Sequence, residues 1–386
     1  MTVDFGTRTL PYGVFRPAGH DPRIGVAVGE LVLDLSDLID SPAEFAQPSL
    51  NAFMSRGPSR WQEVRSAVTA RVAAGVEAGQ GGVYRIQDVE VLLPIEVADF
   101  VDFFSGIEHA TNMGHILRPE DKDPLKPNYR SLPVGYHGRA GTVIPSGVDV
   151  VRPSGQVNTA DGVAFQPSAR LDIEVELGYV IGAPSQLGTP VKASEFRDHV
   201  FGVVILIDWS ARDIQAWEYQ PLGPFLAKSF ATTISHWVVP LDALDDAWVD
   251  GPAQEPAVLS YLQTTEPRNP DILLEFELNG KVLTRPEAGL LYWSPAQQLA
   301  HMVRNGASLR TGDLYGTGTI SSFDQGAMGS LMEISWGGTK EIDLGAAGSR
   351  TFLQDGDQVV LRATIASDPT RPLGEATATI LPAIAE

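Results

Sequence analysis

Apolar runs and apolar–polar alternation divide most of the chain into short strands. The longest strongly apolar run, Phe201–Ile207, has the length of a strand buried on both faces. Leu171–Ile181 opens with strict alternation between apolar and acidic residues, which is the period-two pattern of a strand. Further strands are predicted at Arg23–Val28, Leu31–Leu35, Val89–Leu93, Thr142–Ile144, Ile272–Leu278, Met332–Trp336, Gln358–Ile365 and Thr377–Leu381.

Helical patterns are fewer and mostly short. The clearest is Trp61–Ala74, which is rich in alanine and carries its large apolar residues on one face. Shorter helices are predicted at Phe104–Leu117, Ala211–Tyr219 and Pro295–Asn305, the last preceded by the capping residue Ser294. The 38 Gly and 28 Pro residues are spread along the chain, as expected for many strands joined by turns. The pattern predicts a mainly β protein with some α.

The residue composition changes near Pro94–Glu96, which predicts a domain boundary there. Residues 1–95 form a small strand-and-turn region with one helix, whereas residues 96–386 carry denser glycines, prolines and polar clusters. We therefore expect a small N-terminal domain and a large mixed β domain. Within the second, Asp242–Pro270 is acidic and has the composition of a surface loop.

Composition excludes several classes of protein. The 386 residues include no cysteine, which rules out disulfides, thiolate zinc sites, iron–sulfur clusters and a cysteine nucleophile. A net charge of −20 argues against general nucleic-acid binding. The start, Met1–Phe5, lacks a basic region followed by an apolar stretch, and the longest apolar run is far below the ~20 residues that span a bilayer. We expect a cytoplasmic protein with no nucleic-acid or membrane partner.

Three acidic residues share one face of the Leu171–Ile181 strand. Asp172, Glu174 and Glu176 alternate with apolar residues and therefore point the same way. A solvated acidic surface is one interpretation of this pattern. The other is a bound cation that relieves the repulsion between the carboxylates. Oxygen ligands favour a hard cation, Ca²⁺ or Mg²⁺ or else Mn²⁺.

Polar residues also cluster after the apolar run. Asp208 follows it directly, and Arg212, Gln215 and Tyr219 then lie on one face of the predicted helix. These groups suit a ligand with carboxylate or carbonyl oxygens, but they equally fit a merely polar helix surface. His109 is a candidate general base that spacing alone does not distinguish from the other histidines. Zinc-protease, nucleophile-elbow, P-loop and dinucleotide motifs do not occur in the sequence.

An ordered set of segments resembles the fumarylacetoacetase (fumarylacetoacetate hydrolase) family and covers nearly the whole chain. These segments are Leu10–Phe15, Asp102–Asn112, Leu132–Arg139, Leu171–Leu177, Asp208–Gln215, Trp217–Tyr219, Pro221–Leu226, Lys228–Phe230, Gly318–Ser321 and Gly329–Trp336. The resemblance implies an SH3-like β-barrel N-terminal domain, a large mixed β-sandwich roll that carries the site, and a homodimer.

The resemblance also implies two cation sites. Ca²⁺ is expected at a set of four carboxylates: Asp102, Glu174, Glu176 and Asp208. Mg²⁺ is expected near Asp208, Lys228 and Thr232, with the lysine contributing its backbone carbonyl because an ammonium is not a metal ligand. Asp172 lies outside the implied ligand sets.

The implied reaction is hydrolysis of a carbon–carbon bond in the β-diketone 4-fumarylacetoacetate, a dicarboxylic acid, giving fumarate and acetoacetate in tyrosine and phenylalanine breakdown. His109 would be the general base, oriented by Glu333. The implied electrostatic stabilisers are Arg212, Gln215 and Lys228. The implied substrate contacts are Phe104, Arg118, Tyr136, Gln215, Tyr219 and Thr319.

One position departs from the family pattern. Phe104 stands where the family usually has a substrate-contacting tyrosine, so one hydroxyl is missing. Two alternatives to fumarylacetoacetate hydrolysis stay open, and Phe104 and the acidic segment Asp242–Pro270 motivate the first of them. The first is the same chemistry on a related acylpyruvate or 3,5-dioxo acid. The second is a metal-bound module that binds a ligand without catalysis.

Overall fold

Two long antiparallel strands, β12 (Leu171–Ile181) and β13 (Val200–Ala211), form the centre of the molecule. The computed structural model describes residues 3–264 and 268–384. Every residue of β12 and β13 is buried, because the sheet that contains them is covered on both faces. The acidic residues of β12 are therefore buried as well, and the interpretation as a solvated acidic surface is wrong.

The large sheet around these strands has the order β4-β3-β2-β1-β15-β13-β12-β20-β6-β7, with β5, β8 and β14 attached to it. Its N-terminal strands are β1 (Tyr12–Pro17), β2 (Arg23–Val28), β3 (Leu31–Asp34), β4 (Val83–Arg85) and β5 (Val89–Val91). Its other strands are β6 (Phe100–Phe103), β7 (Gly135–His137), β8 (Val143–Pro145), β14 (Thr232–Ile234), β15 (Trp237–Pro240) and β20 (Leu314–Gly316).

A second sheet, in the order β19-β18-β23-β24-β9, packs on the opposite side of β13 from the N-terminal strands. Its strands are β9 (Val150–Val151), β18 (Ile272–Leu278), β19 (Lys281–Thr284), β23 (Gln358–Ile365) and β24 (Pro372–Leu381). Small ribbons complete the strands: β10 (Ser154–Thr159) with β11 (Gly162–Pro167), β16 (Trp248–Val249) with β17 (Asn269–Pro270), and β21 (Ile342–Asp343) with β22 (Ser349–Arg350).

The helices lie at the edges of this sandwich. They are α1 (Leu35–Leu38), α2 (Pro42–Phe45), α3 (Asn51–Met54), α4 (Pro58–Ala73), α5 (Ile107–Leu117), α6 (Phe196–His199), α7 (Arg212–Glu218), α8 (Pro295–Met302) and α9 (Leu331–Ile334). Within residues 3–264 and 268–384, none of them has both the length and the apolar character needed to cross a bilayer. The prediction of a mainly β fold with some α is confirmed.

The N-terminal strands fit the predicted SH3-like part. They run in the order β4-β3-β2-β1, and β5 pairs with the end of β1 after a single 3-10 turn, Ile86–Asp88. At the same time β1 pairs with β15, so the large sheet continues from residues 1–95 into the rest of the chain. The boundary between residues 95 and 96 stays a prediction.

Two predictions about local structure need correction. Met332–Trp336 is not a strand, because Ser330 caps the short helix α9 by accepting a hydrogen bond from the Glu333 backbone N–H. Asp242–Pro270 is more than a surface loop: its apolar residues Ala243, Leu244, Ala247 and Leu262 are buried, and it contributes β16 and β17. Residues 265–267 of that segment lie outside the described residues.

The Phe201→Ala substitution is expected to destabilise the protein by about 3–5 kcal/mol through loss of buried aromatic packing. Phe201 on β13 contacts Tyr12, Phe53 and Trp61 of the N-terminal part, with ring centroids 5.4, 5.7 and 5.3 Å away. Denaturant titration measures the free energy of unfolding. The control is Phe165→Ala on an exposed phenylalanine, which should change it by less than about 0.5 kcal/mol. Equal effects of the two substitutions on the free energy of unfolding would contradict a core that β13 shares with the N-terminal part.

Candidate active site

Four buried carboxylates from three strands meet at one point of the large sheet. One oxygen or more from each of Asp102, Glu174, Glu176 and Asp208 lies within 4.8 Å of the others. The strand register explains this meeting. Glu174 lies directly opposite Asp208 across the β12–β13 pair, and Asp102 on β6 lies opposite Gly316 of β20, the strand between β6 and β12. These four residues are called the acidic cluster below.

Gly316 allows the acidic cluster to close. A Cβ atom at this position would lie 2.5 Å from Asp102 Oδ1 and 2.7 Å from Glu176 Oε2, closer than side-chain contacts permit. The chain then turns at Gly318, which has a positive φ of 74°, a conformation that favours glycine. Its backbone N–H donates a 3.0 Å hydrogen bond to Glu176 Oε2. The backbone that follows β20 thus holds the Glu176 carboxylate in position.

The electrostatics of the acidic cluster call for a cation. Burial, followed by the negative charges of neighbouring cluster members, raises the pKa of Asp102 and of Glu176 well above the usual range. Within the part of the chain that the structure describes, Asp102 Oδ1, Glu176 Oε1 and Asp208 Oδ1 are buried without a hydrogen-bond partner. A set of carboxylate oxygens with free lone pairs fits a hard divalent cation. The cluster can therefore bind a metal ion.

Two buried cations border the acidic cluster. Lys228 Nζ is 2.6 Å from Glu174 Oε2 and also contacts Asp208. Arg212, the first residue of α7, bridges Glu174 at 2.7 Å and Asp172 at 2.8 Å. Burial alone would raise the pKa of Glu174, but the positive charges of Lys228 and Arg212 outweigh it and hold that pKa below its usual range. Glu174 is thus ionised beside two positive charges.

His109 and Glu333 form a buried pair next to the acidic cluster. His109 Nδ1 and Glu333 Oε2 are 2.7 Å apart, although 224 residues separate them in sequence. Burial would raise the pKa of Glu333, but the interaction with His109 and hydrogen bonds from its neighbours outweigh burial and lower that pKa, so Glu333 is a carboxylate and accepts a hydrogen bond from His109 Nδ1. His109 Nε2 then carries a lone pair, and it lies 3.7 Å from Glu174 Oε1.

Several residues that the sequence analysis did not select hold this pair. Glu333 accepts further hydrogen bonds from Asn112 Nδ2, Ser321 Oγ and Ser330 Oγ at 2.9, 2.7 and 2.8 Å. Asp172 accepts from the first two backbone N–H groups of α9 while it binds Arg212. The Ser330–Glu333 spacing was a readable helix-start signal. The other contacts join distant segments and left no local signal.

A cavity of about 630 Å³ lies over these groups. Ten of the predicted site residues line it: Asp102, Phe104, His109, Arg118, Tyr136, Glu174, Arg212, Gln215, Tyr219 and Lys228. The remaining predicted residues, Glu176, Asp208, Thr232, Thr319 and Glu333, are buried behind its wall. Thr232 pairs directly with Asp208, whereas Thr319 follows Gly318, and its backbone carbonyl occupies the space that a Cβ atom at Gly106 would need. The Thr319 hydroxyl has no partner among the described residues.

The predicted substrate contacts differ in how firmly they are held. The Tyr136 hydroxyl lies 3.1 Å from both Asp102 Oδ2 and Asp208 Oδ2 and can donate its single proton to either, so the phenol is held against the acidic cluster. Gln215 accepts from Arg212 Nη1 at 3.2 Å. Arg118 is partly exposed and donates to the Pro124 carbonyl. The predicted helix face is thus more than a polar surface, since Arg212 and Gln215 turn into the cavity.

Comparison with known proteins finds similarity over nearly the whole chain. The family model "Fumarylacetoacetate (FAA) hydrolase C-terminal" matches residues 100–380, and "Fumarylacetoacetase N-terminal" matches residues 8–94. The chain is 41% identical to fumarylacetoacetase of Rattus norvegicus over 99% of this chain and 97% of the relative. It is 42% identical to that of Arabidopsis thaliana over 94% and 92%.

The chain belongs to the fumarylacetoacetate hydrolase family. It is accordingly an enzyme, a hydrolase. Among solved structures, fumarylacetoacetate hydrolase of Exiguobacterium antarcticum has a TM-score of 0.57 at 18% identity and covers 97% of this chain and 100% of its own. A putative HpcE protein of Mycobacterium smegmatis has a TM-score of 0.59 at 20% identity, with 96% and 99% covered. These two likenesses show the family fold.

The Asp102→Asn and Glu176→Gln substitutions are each expected to weaken divalent cation binding by about two orders of magnitude, because each removes a negative oxygen from the acidic cluster. Titration calorimetry with Ca²⁺ and with Mg²⁺ measures the affinity. The matched control is Asp161→Asn, on an exposed carboxylate between β10 and β11, which should bind as the unmodified protein does. Unchanged affinity in both cluster variants would exclude the acidic cluster as the metal site.

Proposed function

We propose that this hydrolase cleaves the carbon–carbon bond of 4-fumarylacetoacetate to give fumarate and acetoacetate, in tyrosine and phenylalanine catabolism. The full-length relatives at about 41% identity are named fumarylacetoacetases, which supports this substrate. One observation of the site supports it most directly. The free Nε2 of His109 lies beside a buried acidic cluster at the wall of a cavity of about 630 Å³, large enough for a small dicarboxylic acid.

The difficulty of the reaction is its leaving group, a carbanion that must depart as an enolate. In the proposal a divalent cation on the acidic cluster supplies Lewis-acid stabilisation of the diketone oxygens. We assign Ca²⁺ to Asp102, Glu174, Glu176 and Asp208, and Mg²⁺ to the neighbourhood of Asp208, Lys228 and Thr232. Mn²⁺ is the alternative ion. The unpartnered cluster oxygens among the described residues support a resident cation.

His109 carries the proton in this proposal. Its Nε2 removes a proton from water as the water oxygen attacks the carbonyl carbon, and Glu333 stabilises the imidazolium that forms. The carbon–carbon bond then breaks, its electron pair enters the enolate, and the proton on His109 passes to the enolate carbon. One water is consumed, with one carboxylic acid and one ketone formed. The 2.7 Å contact with Glu333 supports the tautomer that this role needs.

Three further residues would stabilise developing negative charge. Arg212 and Lys228 bring positive charge to the wall of the cavity, and Gln215 adds an amide donor. A preorganised donor of this kind typically contributes about 3 kcal/mol to the barrier. The ion pairs of Arg212 and Lys228 with Glu174 hold these two side chains in place before substrate binds. The proposed substrate contacts are those of the sequence analysis: Phe104, Arg118, Tyr136, Gln215, Tyr219 and Thr319.

The proposal extends to assembly and location. We infer a homodimer, supported by a group of large apolar side chains that are exposed within residues 217–226, namely Trp217, Leu222, Phe225 and Leu226, of which Leu222 also lines the cavity. Leu222 is 96% exposed and Phe225 67%, values that a second copy of the chain would reduce by covering them. A cytoplasmic location stays a prediction from the sequence.

The unmodified protein is expected to hydrolyse fumarylacetoacetate with full dependence on a divalent cation. Loss of the diketone absorbance follows the reaction, and exhaustive chelation should remove at least about 99% of the rate until the cation is restored. Acetylpyruvate, a simple acylpyruvate, is the comparison substrate. Faster turnover of acetylpyruvate would favour the related-substrate alternative that Phe104 suggests. Full activity after chelation would contradict the metal role.

The His109→Ala substitution is expected to lower kcat by about 10²–10⁴, and Glu333→Gln by about 10², because the first removes the base and the second leaves it without its charged partner. Single-turnover kinetics measures the chemical step. Cation affinity should stay unchanged in both variants, which separates loss of the base from damage to the acidic cluster. A fall below about tenfold for His109→Ala would exclude it as the base and favour a ligand-binding module.

A further inference from the structure

Asp172 is the acidic residue on this face of β12 that lies outside the acidic cluster, and it is fully buried. Its Oδ2 accepts hydrogen bonds from Arg212 Nε at 2.8 Å and from the Met332 backbone N–H at 3.1 Å. Its Oδ1 accepts from the backbone N–H groups of Ile173 and Leu331, at 2.7 and 2.8 Å. Burial raises the pKa of Asp172, but four N–H donors around its two oxygens favour the ionised carboxylate.

The first group that Asp172 holds is the Arg212 guanidinium, which the proposed mechanism needs in a fixed position at the cavity wall. Asp172 and Glu174 are two positions apart on β12 and therefore lie on the same face. They bind different nitrogens of one guanidinium, Nε at 2.8 Å and Nη1 at 2.7 Å. Without Asp172, only the Nη1 end has partners among the described residues, and the planar group is free to rotate about them.

The second group that Asp172 holds is the start of α9, the helix that carries Glu333. The first N–H groups of a helix have no partner within that helix. In α9 the first two donate to Asp172, and the third, that of Glu333, donates to Ser330 Oγ at 3.3 Å. A helix of four residues has little stability of its own, so these contacts define where it begins. Asp172 thereby sets the place from which Glu333 reaches His109.

We propose that Asp172 is a positioning residue that holds Arg212 and the Glu333–His109 pair in a fixed relation to each other. Asp172 is buried behind the cavity wall, so it acts through the groups that it binds. The inference rests on the proposed function, in which the base and the stabilising cation act on one substrate in the same step. Misplacing a catalytic group by about 1 Å can slow such a step about a hundredfold.

The test compares Asp172→Asn with a matched control, Asp34→Asn. Asparagine keeps the size of the side chain but loses the charge and replaces one acceptor oxygen with a donor. Asp34 is also buried, binds Arg23 at 2.8 Å and caps the four-residue helix α1 through the Ser36 N–H at 2.9 Å, but it lies in the N-terminal part, away from the cavity lining.

Both substitutions should lower the denaturant concentration at the midpoint of unfolding, because each weakens a helix cap and an ion pair. Only Asp172→Asn should lower kcat, by about tenfold to a hundredfold, because the misplaced groups act in the chemical step. Its KM and its affinity for divalent cations should stay within about threefold of the values for the unmodified protein. Asp34→Asn should leave kcat within about twofold.

A double-mutant cycle tests whether Asp172 acts through the groups that it holds. Arg212→Lys removes the forked cation, and Glu333→Gln removes the partner of the base. In either background, Asp172→Asn should lower kcat by a factor at least threefold smaller than in the unmodified protein, because the group that it positions is already impaired. Equal factors in all backgrounds, the additivity of independent sites, overturn the proposal.

Asp172→Glu is the second variant, since it keeps the charge but moves the carboxylate by about one bond length; it should lower kcat by about tenfold. A folded variant of Asp172 that keeps kcat within twofold overturns the proposal, and so does failure of both variants to fold while Asp34→Asn folds. Rates are measured with fumarylacetoacetate or acetylpyruvate, whichever the unmodified protein cleaves faster. Cleavage of neither defeats the proposed function and this inference with it, whereas cleavage with kcat unchanged in Asp172→Asn defeats this inference alone.

Discussion

The burial of four carboxylates at one point is the constraint on which the rest of this structure depends. Like charges brought this close in a medium of low dielectric repel strongly, and only positive charge placed within a few ångströms can offset the repulsion. Lys228 and Arg212 supply part of that charge from the protein itself. Cluster oxygens that lack a partner among the described residues leave room for a further cation. The arrangement that is costly for folding is therefore also the arrangement that suits metal-assisted chemistry.

The pairing of β12 with β13 determines where these carboxylates lie relative to one another. Eleven consecutive pairs, most of them in regular register, place Glu174 opposite Asp208, and the same two strands form the most buried part of both cores. A slip of one residue would move the carboxylates into the apolar core on the other face, so the register is strongly specified. The base is added from elements outside this pair, α5 and α9, which meet through the hydrogen bonds around Glu333.

Local sequence patterns predicted much of the fold and part of the candidate site. Alternation over Leu171–Leu177 predicted a strand with its carboxylates on one face, and the Ser294 cap predicted α8. Local patterns failed where a distant contact decides the structure. Apolar residues at Met332–Trp336 suggest a strand, but Asp172 accepts the N–H groups that begin a helix there. No spacing rule brings His109 to Glu333; the family resemblance did, because it carries information about tertiary contacts. The resemblance covers Asn112 but implied no role for it.

Strand β13 carries two residues with different roles, seven positions apart in the sequence. Phe201 anchors the N-terminal aromatic cluster near one end of the strand, and Asp208 completes the acidic cluster towards the other. A rigid, fully hydrogen-bonded strand transmits displacement along its length with little loss, since close-packed interiors are hardly compressible. A change in the N-terminal aromatic cluster therefore acts on the same strand that carries Asp208. None of the described residues 3–95 lines the cavity.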